Sequence, residues 1–457
     1  MATRRDPNSR RLDESGSALR PGELIPRLAR SFGPAIIVAC VVIGPGSVLT
    51  SSQVGCRFGF QLAWVLILAG LLMFGAVVAA ARVGASLPNS PLTELALGLG
   101  RPAAILAGLS VFLITSCFQF SNNLGALAAV EGVVDVAPSM RVLLLIGLNV
   151  VLTVCLWCFK DLYDVVEKAM KALLALMLLG FVANLAFARP SLASVAAGLV
   201  PRLPSELAGS FWPGYISQTG ASEATSARVL IDPWLEVQGL VATTFTIAGA
   251  FYQAYLVREK GWTRSHLCQG LIDSAAGALV MITISLVIMA TSATILHGLT
   301  RPESLTGVAD VARQLEPLFG VWAKILFCVG IFAAAASSFL INAMIGGAML
   351  ADGLGLPARM DSVWSKSFTV AVMSIGAVVA LGTASESRVP LIVFAQAVSL
   401  LGGPVLALAL VYLSLRTLSD GSRVSPWPVV LCAVAAAIVV AVFALRTMAR
   451  LWLVYHA

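Results

Sequence analysis

Uninterrupted apolar runs of about 20 residues recur along almost the whole chain, and nothing else in the sequence limits its fold so severely. A backbone immersed in hydrocarbon must satisfy its own hydrogen bonds, so each run has to be a helix or a strand of a closed barrel. Barrel strands alternate apolar and polar residues, and these runs do not. The approximate spans are 33–55, 61–84, 103–131, 141–159, 170–188, 237–257, 268–297, 317–349, 366–384, 388–415 and 426–448. With 58% hydrophobic and only 12% charged residues in 457, lipid must be the solvent for most of the surface. The chain therefore reads as an all-α polytopic membrane protein of about eleven transmembrane helices, with the lipid bilayer as its main partner.

The net charge of +7 does not indicate a nucleic-acid partner, because the basic residues are scattered between apolar runs. They orient loops instead. Residues 1–31 are polar, carry seven arginines and lack an apolar h-region, so they read as a disordered cytoplasmic tail and not a signal peptide. With that tail inside, roughly 19 of the 30 Lys and Arg fall on the cytoplasmic side, as the positive-inside rule requires. The same assignment puts the loop 189–236 and the C-terminus outside what is expected to be a bacterial inner (plasma) membrane. A core over 32–415 would be followed by an eleventh helix and short C-terminus over 416–457.

Enzymatic chemistry finds little support. The eight cysteines lie mostly in apolar runs and read as small buried hydrophobes, including Cys155 and Cys158 despite their redox-motif spacing. Three histidines without an H-E-x-x-H pattern give no soft-ligand metalloenzyme centre. There is no phosphate-cradling glycine loop and no evident nucleophile–base pair, so no enzyme, no ATP-driven pump and no cofactor is expected.

The first span carries the sharpest local signal. Gly44-Pro45-Gly46-Ser47 sits at its centre, followed by Thr50, Ser51, Ser52 and Gln53. Proline removes an amide donor and glycine tolerates unwound backbone, so a break is expected across these four residues. Freed backbone groups at membrane depth must face protein or a water-filled cavity. Broken helices in corresponding positions of two halves mark transporters built on inverted repeats. That pattern divides the core into repeats over about 32–188 and 237–415 and calls for a second break in the sixth span. Gly249 and Ala250, with Tyr252 and Gln253, are the candidates there.

Substrate binding is expected from Val41, through its carbonyl, with Gly44, Pro45, Gly46, Ser47, Gly249, Ala250, Gln253 and Gln396. Pathway lining is expected from Gln53, Asn122, Asn123, Tyr252, Ser338, Asn342 and Ser399. Amides and hydroxyls at membrane depth serve either a polar route or helix–helix hydrogen bonds. Carboxylates are missing from the span centres, so a cation would rest on neutral ligands such as Ser47, Gln253 and Gln396 or keep part of its water.

These residues resemble the NRAMP divalent-metal transporters, a family with the leucine-transporter-like 5+5 inverted repeat of the APC superfamily. The likeness covers spans one to ten. It rests on Gly44-Pro45-Gly46-Ser47 with Gln53 to Phe60 and Trp64, on Ala188-Arg189-Pro190 through Pro201, on Leu326 to Ser338, and on Gln396 to Ser399. The resemblance implies broken helices 1 and 6 and alternating-access transport of a divalent metal of the magnesium or manganese/iron class. This chain departs from the family pattern at its metal site. Gly44 stands where the family has its metal-binding aspartate, and Ser47 where it has asparagine. Ala250-Phe251-Tyr252 occupies the place of methionine-proline-histidine, and Asn122, Asn123 and Gly125 that of the acidic proton-path positions. An alanine for the methionine is similar to the NRAMP-related magnesium transporters. The residues leave a second cargo class open: an organic acid, amino acid or bicarbonate held by amides at a half-helix N-terminus.

Overall fold

The computed structural model describes residues 38, 43–158, 160–209, 211–219, 226–359, 361–383, 388–418 and 427–456. The expected tail over 1–31 and Val41 lie outside them. Helices dominate, and the apolar runs become α1 (Pro45–Phe58), α2 (Ala63–Ser86), α3 (Pro91–Leu99), α4 (Arg101–Glu131), α5 (Pro138–Cys158) and α6 (Lys160–Ala188). A hairpin of β1 (Gly214–Thr219) and β2 (Ser226–Ile231) follows. Then come α7 (Leu235–Thr244), α8 (Ile247–Glu259), α9 (Leu267–Ile295), α10 (Val308–Ala312), α11 (Ala323–Leu354), α12 (Val363–Leu381), α13 (Arg388–Ser399), α14 (Gly403–Arg416) and α15 (Trp427–Tyr455). Among the described residues, nine helical segments are long and apolar enough to cross a membrane. The α1 segment is too short to do so alone, as half of a broken helix must be.

The centre of the bundle is the pair α4 and α11, which pack along most of their length. Small residues permit this: a Cβ on Gly108 would sit 3.1 Å from the Met349 carbonyl, and one on Gly353 2.6 Å from that of Ala104. In lipid, where apolar side chains gain nothing by leaving the solvent, close backbone approach of this kind supplies the packing force. The lipid-facing rim follows from the same rule, with exposed Leu143, Val150, Leu179, Ile272, Leu279 and Val378.

Three expectations are corrected. Of the four residues expected to unwind at the first break, only Gly44 is extended (φ −109°, ψ −176°). Pro45 to Ser47 already form the first turn of α1, because proline at the first helical position loses no needed donor. The sixth-span break lies at Phe245 (φ −111°, ψ 89°) and Thr246 (φ −101°, ψ 108°), while residues 248–255 stay helical. The expected loop over 189–236 contains the antiparallel hairpin, and Tyr215 Oη donates to the Leu453 carbonyl at 2.9 Å, tying the hairpin to α15.

Candidate functional site: a cavity between two broken helices

The α1 helix begins in the middle of the bundle because Gly125 of α4 leaves room for it. A Cβ on Gly125 would stand 2.6 Å from the Pro45 ring. Beside Pro45, Gly46 lies so close to α13 that a Cβ would collide with Gln396 Nε2. Gln396 in turn donates to Ser121 Oγ at 2.7 Å. Across the gap, α7 ends at Thr244 and α8 starts at Ile247. The Phe245 amide turns back to the Val241 carbonyl at 2.7 Å, and the Ala250 amide reaches the Thr246 carbonyl at 3.0 Å. The intervening carbonyls of α7's last turn are left without helical partners.

Between the two breaks lies a small cavity of about 30 Å³. Gly44, Gly46 and Ser47 of the first break and Thr243, Thr246, Ala248 and Gly249 of the second contribute to its wall. The scaffold helices α4 and α11 supply Thr115, Asn122, Ser338 and Asn342, and α13 supplies Gln396. Their spacing puts each helix's contributions on one face. Ser338 Oγ donates to Asn122 Oδ1 at 3.1 Å, and Asn122 Nδ2 to Gln119 Oε1 at 3.4 Å. No lining residue carries a charge. First-turn residues of α1 and α8 both border the space, and a helix N-terminus carries roughly half a positive charge.

Of the residues singled out from sequence, Gly44, Gly46, Ser47, Asn122, Gly249, Tyr252, Ser338, Asn342 and Gln396 line this one cavity. Pro45 packs against Gly125 instead. Gln53, Asn123, Ala250, Gln253 and Ser399 are buried away from the wall. Asn123 Nδ2 donates to the Gln119 carbonyl, and Ser399 Oγ to the carbonyl of Gln396 in its own helix. Thr115, Thr243 and Thr246 were missed. The polar run Thr243-Thr244-Phe245-Thr246 within an apolar span was the available signal for the last two.

Polar contacts tie the far ends of α1 and α8 to their neighbours. At the far end of α1, Arg57 pairs with Glu236 at 3.0 Å and with Glu206 at 3.2 Å, joining α1 to the start of α7. At the far end of α8, Tyr255 Oη donates to Asp352 Oδ2 at 2.6 Å. Asp352, from α11, also accepts from Ser90 Oγ and Thr93 Oγ1 at 2.7 Å and from the Leu92 amide at 3.2 Å, so it caps α3 as well. Arg258 adds bonds to the Leu87 and Pro88 carbonyls at 2.6 and 2.7 Å. Asp352→Ala is expected to unfold at lower temperature and to let small solutes leak through reconstituted vesicles. Each buried donor left unpaired costs about 1–3 kcal/mol. Unchanged melting and leak-free vesicles would show that the contact closes nothing.

Comparison with known proteins decides the family. The family model described as "Natural resistance-associated macrophage protein-like" matches residues 35–449. The chain belongs to this family. Curated relatives named divalent metal cation transporter MntH include one from Deinococcus radiodurans, 24% identical over 359 residues, covering 77% of this chain and 76% of that one. Another, from Klebsiella pneumoniae, is 26% identical over 319 residues, covering 69% and 70%. Among solved structures, the manganese transporter of Eremococcus coleocola superposes with a TM-score of 0.64 at 16% identity, over 92% of this chain and 88% of that one. The fold is thus the broken-helix transporter fold expected from the sequence, and the chain is an integral membrane protein of a transport family. Within that NRAMP-like frame, the described residues hold no cluster of three or more His, Cys, Asp or Glu able to bind a metal ion.

Proposed function

We propose that this chain is a secondary transporter that moves a small solute through the cavity by alternating access, and that its cargo is a hard divalent cation carried with much of its water shell. The observation that supports the reading is the convergence of two broken helices on one cavity walled by hydroxyl and amide oxygens. Such oxygens suit magnesium or manganese, and the missing thioether removes a preference for softer ions. The divalent-metal cargo named for the relatives points the same way. A bare divalent ion at this depth would lack a compensating charge, so retained water has to screen it. At about 30 Å³ the cavity in this closed state has room for about two waters, so the rest of the shell requires it to widen as it opens.

A second reading is favoured by one specific feature. The N-terminal edges of α1 and α8 face the cavity together, with no acidic side chain to oppose them. That arrangement suits the carboxylate of an organic acid, an amino acid or bicarbonate. Purified protein in liposomes separates the two. Saturable uptake of magnesium or manganese supports the first reading. Absence of uptake and of binding for magnesium, manganese, iron and calcium rejects it, and chelator-insensitive uptake of a carboxylate establishes the second.

A further inference from the structure

Gln253 is fully buried in α8, and neither its Nε2 nor its Oε1 meets a hydrogen-bond partner among the described residues. Three other amides near the cavity are engaged. Asn122 and Gln396 bond to Ser338 and Ser121, and Gln119 to the Phe339 carbonyl. A primary amide at membrane depth with all its donors and acceptors unmet is expensive, and leucine or methionine would fill the same volume without that cost. Its position on the helix supplies the reason to keep it. Gly249, Tyr252 and Leu256 line the cavity, and Gln253 follows Gly249 by one turn on the same side of α8. The next polar group along is Tyr255, which donates to Asp352 of α11.

We propose that Gln253 is a second station on the transport route, occluded in this state. When the Tyr255–Asp352 contact opens, its amide takes the polar bonds it lacks here from the cargo or the cargo's water shell. Oε1 accepts from the waters coordinated to a divalent cation, and Nε2 donates to water beyond that shell. The identity of that cargo rests on the reading given above, but the station does not. The cavity holds the solute in the closed state, and Gln253 lowers the barrier for leaving it.

The test uses the full chain with Gln253→Leu and Gln253→Met. Both variants are expected to melt in detergent at or above the wild-type temperature, because an unpaired amide has been removed. Uptake should slow by about tenfold, while cargo-induced thermal stabilisation, which reports the cavity, stays unchanged. A third variant, Gln253→Cys with the eight native cysteines replaced, should react with a water-soluble thiol reagent about tenfold faster once Asp352→Ala is added. A melting temperature several degrees lower in both the leucine and methionine variants would reveal an internal partner for the amide and overturn the proposal. Wild-type uptake in those variants, or an introduced thiol equally unreactive with and without Asp352, would overturn it too. If the wild-type protein moves no divalent metal, the cargo reading fails, but the melting and labelling results still decide the station.

Discussion

Asp232→Ala is expected to lose about 3–5 kcal/mol of stability, the usual result of stranding a buried charge by removing its partner. The Asp232 side chain is 3% exposed and lies between the hairpin and α7. It accepts from Arg446, whose side chain is fully buried in α15, and from Arg450 Nη1 at 2.5 Å. Arg446 also donates to Gln238 Oε1 at 2.6 Å and to the Phe211 carbonyl at 2.8 Å, with its guanidinium 5.6 Å from the Phe211 ring. These contacts fasten the last helix to the mouth of the broken sixth one. Thermal unfolding in detergent measures the loss. Replacing the whole triad, Asp232→Leu with Arg446→Met and Arg450→Met, should recover most of it, since the desolvation cost disappears along with the attraction. A single variant that melts like wild type would show that the pair holds nothing together.

Gly44→Asp should turn the cavity into a tight divalent-cation site. A Cβ at Gly44 would lie 3.1 Å from Ser338 Oγ and 3.5 Å from Asn122 Oδ1, so the new carboxylate would join the oxygens already present. Without metal, the variant should melt below wild type, because it buries an unpaired charge. With manganese or magnesium at a hundred times the dissociation constant, it should regain about 2.7 kcal/mol. The wild-type protein, with only neutral ligands, should show a much smaller metal-dependent shift. Any carboxylate cargo should be repelled, so uptake of that class would fall. If metal fails to raise the melting temperature of the variant, the cavity cannot present its oxygens to a cation, and the metal pathway is not intact.

The two breaks show what was legible locally and what was not. Gly44-Pro45-Gly46 announces itself because proline and glycine act on their own backbone whatever surrounds them. Phe245 and Thr246 carry no such restriction. Their extended backbone depends on the packing of α7 and α8 against neighbouring helices, so the break was expected several residues too late, around Gly249. The hairpin escaped for a related reason: its short strands have no apolar alternation and gain their anchorage from α15.

By itself the sequence determined the solvent of this protein, the helical class, the position of the first break and the absence of acid from the span centres, since each follows from residue chemistry or from short-range backbone geometry. Only the tertiary structure decided which polar side chains share a cavity and which merely bond to their own helices. Asn122 lies far along the chain from Ser338 and Gln396, and the three meet because small residues let α4, α11 and α13 approach. It alone also decided that Gln253 meets no hydrogen-bond partner among the described residues. Hydrogen-bond satisfaction is a property of three-dimensional neighbours, which a linear pattern does not contain.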